Sequence, residues 1–129
     1  MSKKVLIADD QPDSRRLLQD ILARFTMVGV ETIVARDGRE AMSLAEQHKP
    51  DLILLDVMMP HHDGFEVCKW VKHHPDLTNA YVIMVSAKIQ PEDRKTAALA
   101  GADEYLTKPY DANAVIERVQ KVLGVQLFA

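Results

Sequence analysis

The chain has 129 residues, of which 47% are apolar and 27% are charged, and its 16 Lys and Arg against 19 Asp and Glu leave a net charge of −3. This length suits one domain whose core needs no disulfides, and the composition argues against disordered and fibrous proteins. The acidic balance argues against direct nucleic-acid binding, because phosphate backbones require a basic face.

A single cysteine, Cys68, excludes an internal disulfide and a zinc site built from several cysteines. No apolar run approaches the roughly 18 residues of a membrane span. We therefore expect one soluble, cytoplasmic domain over residues 1–129, without membrane contact, with its core at 4–123 and a short tail at 124–129. Because so little sequence follows the last predicted helix, we expect either a stand-alone protein or one trimmed from a longer chain.

Short apolar runs alternate with longer amphipathic segments along the chain. The runs of strand length are Val5–Ala8, Val30–Ala35, Asp51–Leu55, Tyr81–Val85 and Glu104–Thr107. Three of them are almost continuously apolar, which is typical of strands that are covered on both faces.

Five helices are predicted, one after each strand. Apolar residues at helical spacing mark four of them: Leu17, Leu18, Ile21, Leu22 and Phe25; Ala41, Met42, Leu44 and Ala45; Phe65, Cys68 and Val71; and Val115, Val119, Val122 and Leu123. The predicted boundary signals are a capping-box spacing at Asp37 and Glu40, Pro91 and Gly101 for the fourth helix, and Asp111 and Gly124 for the fifth. This alternation predicts an α/β fold, a flavodoxin-like doubly wound (βα)5 domain with a five-stranded parallel sheet in the order 2-1-3-4-5.

Polar residues follow four of the predicted strands. Asp9 and Asp10 follow the first strand, Asp56 the third, Ser86 the fourth and Lys108 the fifth. Ligands of such folds bind beyond the carboxyl ends of the strands, near the point between strands 1 and 3 where the strand order reverses. We therefore expect these side chains to meet at one edge of the sheet.

Three carboxylates this close repel one another, by roughly 4 kcal/mol for each pair at about 4 Å and an effective dielectric of 20. Either their pKa values rise or a cation neutralises them. Oxygen ligands that leave room for water and phosphate favour Mg²⁺. With Lys108 and Ser86 available for phosphoryl oxygens and Asp56 as the nucleophile, the set predicts phosphoryl transfer.

Four motifs together resemble the receiver domain of two-component response regulators. They are VLIADD, DLILLDVMMPHHDGFEV, VIMVSA and GADEYLTKP, in this order, and the resemblance extends over residues 4–123. It implies that Asp56 accepts the phosphoryl group. It also implies that Asp9 and Asp10 position Mg²⁺, with Asp10 the direct ligand and Asp9 acting mainly through water, and that Asp56 and the backbone carbonyl of Met58 bind the same ion.

The resemblance assigns further roles near the strand ends. Ser86 is implied to be the switch hydroxyl, Lys108 the partner of the phosphoryl group, and Tyr105 an aromatic side chain that rotates on activation. The Lys108–Pro109 peptide is implied to be cis, which an X–Pro bond allows at little cost. Met58 and Lys88 are implied to flank the path of the water that hydrolyses the phosphoryl group, and both favour slow hydrolysis.

The implied partners are a sensor histidine kinase or a histidine phosphotransfer protein as the donor, and a downstream protein or output domain as the target. The surface of the fourth helix, fifth strand and fifth helix is implied to change on phosphorylation. A phosphorylation-dependent homodimer is compatible with this role. Such a domain assists its own phosphorylation and slow dephosphorylation, and it turns over no independent substrate.

Three other functions fit this sequence less well. Phosphatases of the haloacid-dehalogenase type need a second Asp two residues after the nucleophile, where this chain has Met58. A flavin carrier needs a hydroxyl-rich loop after the first strand, where Asp9 and Asp10 would repel phosphate. A receiver that has lost phosphorylation is disfavoured because every key side chain is present. We interpret the pairs at 61–62 and 73–74 as ordinary surface histidines, Cys68 as a core residue, and Trp70 as partly exposed.

Overall fold

The computed structural model describes residues 2–88 and 90–127. Of the predicted tail 124–129, residues 128 and 129 lie outside this described part. The strands are β1 (Lys3–Ala8), β2 (Val30–Ala35), β3 (Leu52–Leu55), β4 (Tyr81–Ser86) and β5 (Glu104–Thr107). They form one parallel sheet in the order β2-β1-β3-β4-β5, which confirms the predicted fold class.

Helices cover both faces of this sheet. They are α1 (Pro12–Leu22), α2 (Gly38–His48), α3 (Gly64–His73), α4 (Pro91–Leu99) and α5 (Ala112–Leu123), and a short 3-10 helix (Ala23–Val28) follows α1. One apolar layer packs α1 and α5 against the sheet, and the other packs α2, α3 and α4 against the opposite face. Within the described residues, no helix is long and apolar enough to cross a membrane.

The predicted apolar stripe of α1 is wrong at Leu17, and it extends beyond the α-helix at Phe25. Leu17 is 50% exposed, whereas Leu18, one residue or about 100° of helix rotation away, is buried. Phe25 is fully buried, but it belongs to the 3-10 helix because α1 ends at Leu22. Gly29 then ends this segment with a φ of +84°, a left-handed conformation that favours glycine.

Most predicted helix boundaries are confirmed. Asp111 caps α5 by accepting from the Asn113 N–H, and Gly124 ends the helix in a left-handed conformation. Asp37 accepts from the Glu40 N–H at 2.8 Å, but the Glu40 carboxylate accepts from the Arg36 N–H at 2.9 Å. The predicted capping box of α2 therefore exists only in its first half.

A reciprocal capping box that the sequence analysis did not predict lies at the start of α3. Asp63 accepts from the Glu66 N–H at 2.9 Å, and the Glu66 carboxylate accepts from the Asp63 N–H at 3.3 Å. Farther along the helix, Cys68 is fully buried, and Trp70 is half-buried with its ring edge against His74. The predicted placement of both side chains is thus confirmed.

Candidate functional site

The pairing of β1 with β3 brings the predicted acidic residues together. Ala8 lies opposite Leu55 in this pair, so the residues that follow them, Asp9 and Asp56, leave the sheet side by side. The Asp56 N–H donates to the Ala8 carbonyl at 2.9 Å, which extends the ladder to the site itself. Carboxylate oxygens of Asp9, Asp10 and Asp56 lie within 4.8 Å of one another.

Lys108 reaches this cluster from the end of β5. Its ammonium group donates to Asp56 Oδ2 at 2.9 Å and to Asp9 Oδ2 at 3.2 Å. Its backbone N–H donates to the Ser86 carbonyl at 2.8 Å, and the Lys108–Pro109 peptide is cis, as the resemblance implied. One cation therefore already offsets part of the charge of three carboxylates.

Burial and charge act in opposite directions on this ion pair. Burial raises the pKa of Asp56 above its usual value, the neighbouring charge of Asp9 adds to this, and the hydrogen bond from Lys108 offsets only part of it. Burial alone would lower the pKa of Lys108, but the hydrogen bonds and charges of Asp56 and Asp9 outweigh it and raise the pKa. The ammonium group therefore stays charged at neutral pH.

The two adjacent acidic residues differ in their free oxygens. Asp9 is 1% exposed, and its Oδ1 accepts from the Gln11 N–H at 2.9 Å while its Oδ2 accepts from Ser14 and Lys108. Asp10 Oδ1 is buried and has no hydrogen-bond partner among the described residues. A buried carboxylate oxygen without a partner, beside two further carboxylates, fits a hard cation such as Mg²⁺.

Ser86 and Tyr105 meet the same backbone residue from two strands. The Ser86 hydroxyl oxygen accepts from the Lys88 N–H at 3.1 Å, and the Tyr105 hydroxyl donates to the Lys88 carbonyl at 2.7 Å. Ser86 is buried, and the guanidinium of Arg94 lies 5.0 Å from the centre of the Tyr105 ring. The loop after β4 thus links the predicted switch hydroxyl to the predicted rotating aromatic.

Asp56 opens onto a cleft of about 750 Å³. Met58 is 61% exposed on its wall, and its backbone N–H donates to Asp56 Oδ1 at 3.2 Å. Lys88 lines the cleft too, with its ammonium group 3.7 Å from Asp93. The cleft is bounded by mixed apolar and polar side chains: Asp10, Gln11, Asp56, Val57, Met58, Met59, Pro60, Asp63, Phe65, Ser86, Ala87, Lys88 and Lys108.

Two residues of the site were missed in the sequence analysis. Ser14 accepts from the Lys108 ammonium group at 2.8 Å, a contact across 94 residues that no local pattern could indicate. Gly64 packs so closely under the site that an added Cβ would lie 2.2 Å from the Asp56 carbonyl oxygen. Its signal was its place directly after the loop that follows β3, where close approach of two backbones demands glycine.

The histidine pairs contact side chains outside the acidic cluster. His62 Nδ1 lies 3.4 Å from a Glu66 oxygen, and His74 Nε2 lies 3.1 Å from a Glu46 oxygen. In the part of the chain that is described, the group of carboxylate, histidine or cysteine side chains close enough to hold a metal ion is the acidic cluster at the sheet edge.

Comparison with known proteins adds to this geometry. The sequence profile of the response regulator receiver domain matches residues 5–120. The alkaline phosphatase synthesis transcriptional regulatory protein PhoP of Bacillus subtilis is 42% identical over 95% of this chain and 49% of its own length. The polar-differentiation response regulator DivK of Brucella anthropi is 36% identical over 96% of this chain and 98% of its own length.

This chain spans about half the length of PhoP and of several other curated relatives that it matches. Among solved structures, the Vibrio cholerae chemotaxis protein CheY4 superposes with a TM-score of 0.84 at 30% identity, covering 95% of this chain and 99% of its own. Because the profile matches nearly the whole chain and the fold agrees with it, this protein belongs to the receiver domain family of two-component response regulators.

Proposed function

We propose that this chain is a phosphorylation-controlled switch in which Asp56 accepts a phosphoryl group from a phosphohistidine. The observation that supports this most directly is the setting of Asp56, which is 6% exposed yet opens onto the cleft while Lys108 holds one of its oxygens. The donor is a sensor histidine kinase or a histidine phosphotransfer protein in the cytoplasm. The whole chain, residues 1–129, acts as one receiver domain, alone or within a longer regulator.

In this proposal, Asp9, Asp10, Asp56 and the backbone carbonyl of Met58 hold Mg²⁺. The unpartnered oxygen of Asp10 supports its role as a direct ligand, and the hydrogen bonds to both oxygens of Asp9 support a contact through water. When bound, the ion supplies positive charge that offsets the negative charge of the phosphoryl oxygens.

The transfer step uses the side chains at the sheet edge. A carboxylate oxygen of Asp56 forms a bond to phosphorus, the phosphorus–nitrogen bond breaks, and its electron pair returns to the imidazole. Lys108 lies 2.9 Å from Asp56, close enough for its ammonium group to pair with a phosphoryl oxygen. The phosphoryl group stays attached to Asp56. Each chain therefore accepts one phosphoryl group and turns over no independent substrate.

The proposed output begins at Ser86. A phosphoryl group on Asp56 offers new acceptors, and the Ser86 hydroxyl moves to donate to one of them. This removes the acceptor of the Lys88 N–H, and the loop that also binds the Tyr105 hydroxyl shifts. The equilibrium between two conformations of the surface formed by α4, β5 and α5 then shifts. In its new conformation, this surface contacts a target protein, an output domain or a second copy of this chain.

The test is phosphorylation of the purified chain by acetyl phosphate in the presence of Mg²⁺, followed by intact-protein mass spectrometry and peptide mapping. We expect one phosphoryl group per chain, on Asp56, and none in Asp56→Asn, which keeps the shape but loses the nucleophilic oxygen. Asp76→Asn is a matched control, because Asp76 is exposed and distant from the site. A phosphoryl group that persists in Asp56→Asn would contradict the proposal.

A further inference from the structure

Ser14 lies in the first turn of α1 and joins two charged groups of the site. Its hydroxyl donates to Asp9 Oδ2 at 2.5 Å, and it accepts from the Lys108 ammonium group at 2.8 Å. Gln11 is the N-cap residue of this helix, and the Ser14 hydroxyl binds two side chains rather than the helix terminus. The proposed phosphotransfer step gives it no role.

With these contacts, both carboxylate oxygens of Asp9 have hydrogen-bond partners. Its Oδ1 accepts from the Gln11 N–H, and its Oδ2 accepts from both Ser14 and Lys108. Asp10, the next residue, keeps a buried oxygen without a partner in the described part of the chain. The difference between two adjacent carboxylates therefore depends on what binds Asp9, and Ser14 makes the shortest of those contacts.

We propose that Ser14 is a positioning residue that keeps Asp9 from direct contact with a divalent cation and so favours Mg²⁺ over Ca²⁺. Mg²⁺ keeps several waters and takes few protein ligands, whereas Ca²⁺ takes six to eight oxygens and gains from each added carboxylate. An Asp9 oxygen released from Ser14 is such an added ligand. The inference rests on the proposed function, which places a cation at these carboxylates.

Ser14 also acts on Asp9 through Lys108. The ammonium group has three donors, and they are used by Asp9, Asp56 and Ser14. Ser14 therefore holds Lys108 beside Asp9 as well as occupying the same Asp9 oxygen. Its loss weakens both contacts that compete with a cation for that oxygen.

The test is calorimetric titration of the metal-free protein with MgCl2 and, separately, with CaCl2. In Ser14→Ala we expect the ratio of the Ca²⁺ to the Mg²⁺ dissociation constant to fall by about fivefold, the size of one typical hydrogen bond. Ser14→Thr keeps a hydroxyl at this position, so its ratio should equal that of the wild type. Ser14→Cys keeps the size of the side chain but bonds weakly, so it should behave like Ser14→Ala and serves if that variant folds poorly.

Ser43→Ala is the matched control, because Ser43 is an exposed serine on α2, and its ratio should equal that of the wild type. An unchanged ratio in both Ser14→Ala and Ser14→Cys would overturn the inference, as would a failure of Ser14→Thr to restore it. A wild-type protein that binds neither cation would instead remove the proposed metal site itself, and this inference with it.

Discussion

The two edges of the sheet each carry a lysine that bridges separate elements, but the charges around the two lysines differ. At the amino edge, where the strands begin, Lys72 donates to the Ala80 carbonyl at 2.7 Å and to Asp103 Oδ2 at 2.8 Å. Asp103 Oδ2 also accepts from the Val82 N–H. At the carboxyl edge, Lys108 faces a cluster of three carboxylates.

This difference indicates that the amino edge stabilises the fold and that the carboxyl edge is suited to chemistry. Lys72 and Asp103 are one ammonium and one carboxylate, so their charges balance within the fold. Around Lys108 two negative charges remain, one carboxylate oxygen has no partner among the described residues, and a cleft gives access. Uncompensated charge at a buried edge is destabilising by itself, and it is the property that a cation and a phosphoryl group can use.

The largest effect is expected on the rate of phosphorylation, which should depend on Lys108 and not on Lys72. Lys108→Met should slow phosphorylation by acetyl phosphate about a hundredfold, the size typical for loss of one donor that stabilises developing charge. Lys72→Met should leave the rate unchanged, because Lys72 lies at the opposite edge. The measurement is the initial rate of labelling at saturating Mg²⁺, and equal rates in the two variants would break the comparison.

The same pair of variants separates the lysines by stability. Lys72→Met should lower the free energy of unfolding by about 2 kcal/mol, because it leaves a carboxylate and a carbonyl without a charged donor. Mg²⁺ should not recover this loss. In Lys108→Met, by contrast, Mg²⁺ should recover most of the lost stability, since the ion supplies positive charge to the same carboxylates. Urea unfolding with EDTA or with Mg²⁺ measures both, and recovery of Lys72→Met by Mg²⁺ would contradict the assignment.

A smaller effect is expected when the surplus charge itself is removed. Asp10→Ala should abolish Mg²⁺ binding and raise the free energy of unfolding of the metal-free protein by about 1 kcal/mol, because an unsatisfied buried oxygen is lost. Calorimetric titration and urea unfolding in EDTA test the two parts. Asp13→Ala, on the exposed side of the first turn of α1, is the control. Unchanged Mg²⁺ affinity in Asp10→Ala would refute the site.

The pH dependence of stability should also distinguish the carboxyl edge. Burial raises the pKa of Asp56 in the folded protein, so folding favours its protonated form. Its contribution to stability is therefore fully present below the usual carboxyl pKa of about 4 and is lost as the pH rises through the raised value. In EDTA, the stability of the wild type relative to Asp56→Asn should fall as the pH rises from acid towards neutral. A flat difference would argue against the raised pKa.

The smallest expected effect concerns the wall of the cleft. Met58 has no strong hydrogen-bonding group to orient a water, and the Lys88 ammonium group pairs with Asp93 at 3.7 Å. A Met58→Asn, Lys88→Glu double variant should therefore lose its phosphoryl group about threefold faster, a change of well under 1 kcal/mol in the barrier. The decay of phosphorylated protein after donor removal measures this. Equal decay rates would show that these positions do not control access of water.

Local patterns predicted much of this molecule and failed where a contact decided the outcome. Alternation of strands and helices predicted the sheet order, because right-handed crossovers leave few arrangements of five such units. The exposure of Leu17 was not predicted, since a helix stripe of leucines does not reveal which neighbour faces the core. The capping box predicted at Asp37 and Glu40 forms only in its first half, because Glu40 binds Arg36 instead.

By itself, the sequence determined that Asp9, Asp10, Asp56, Ser86 and Lys108 meet at the carboxyl edge, because each lies at or just beyond the end of a strand and the strands run in the same direction. Only the tertiary structure decided which of those side chains has a free oxygen. Asp9 and Asp10 are neighbours of identical chemistry, and they differ because Ser14 from α1 and Lys108 from beyond β5 converge on the first and leave an oxygen of the second open. Hydrogen bonds between distant elements exist only once the chain has folded, so no local pattern contains them.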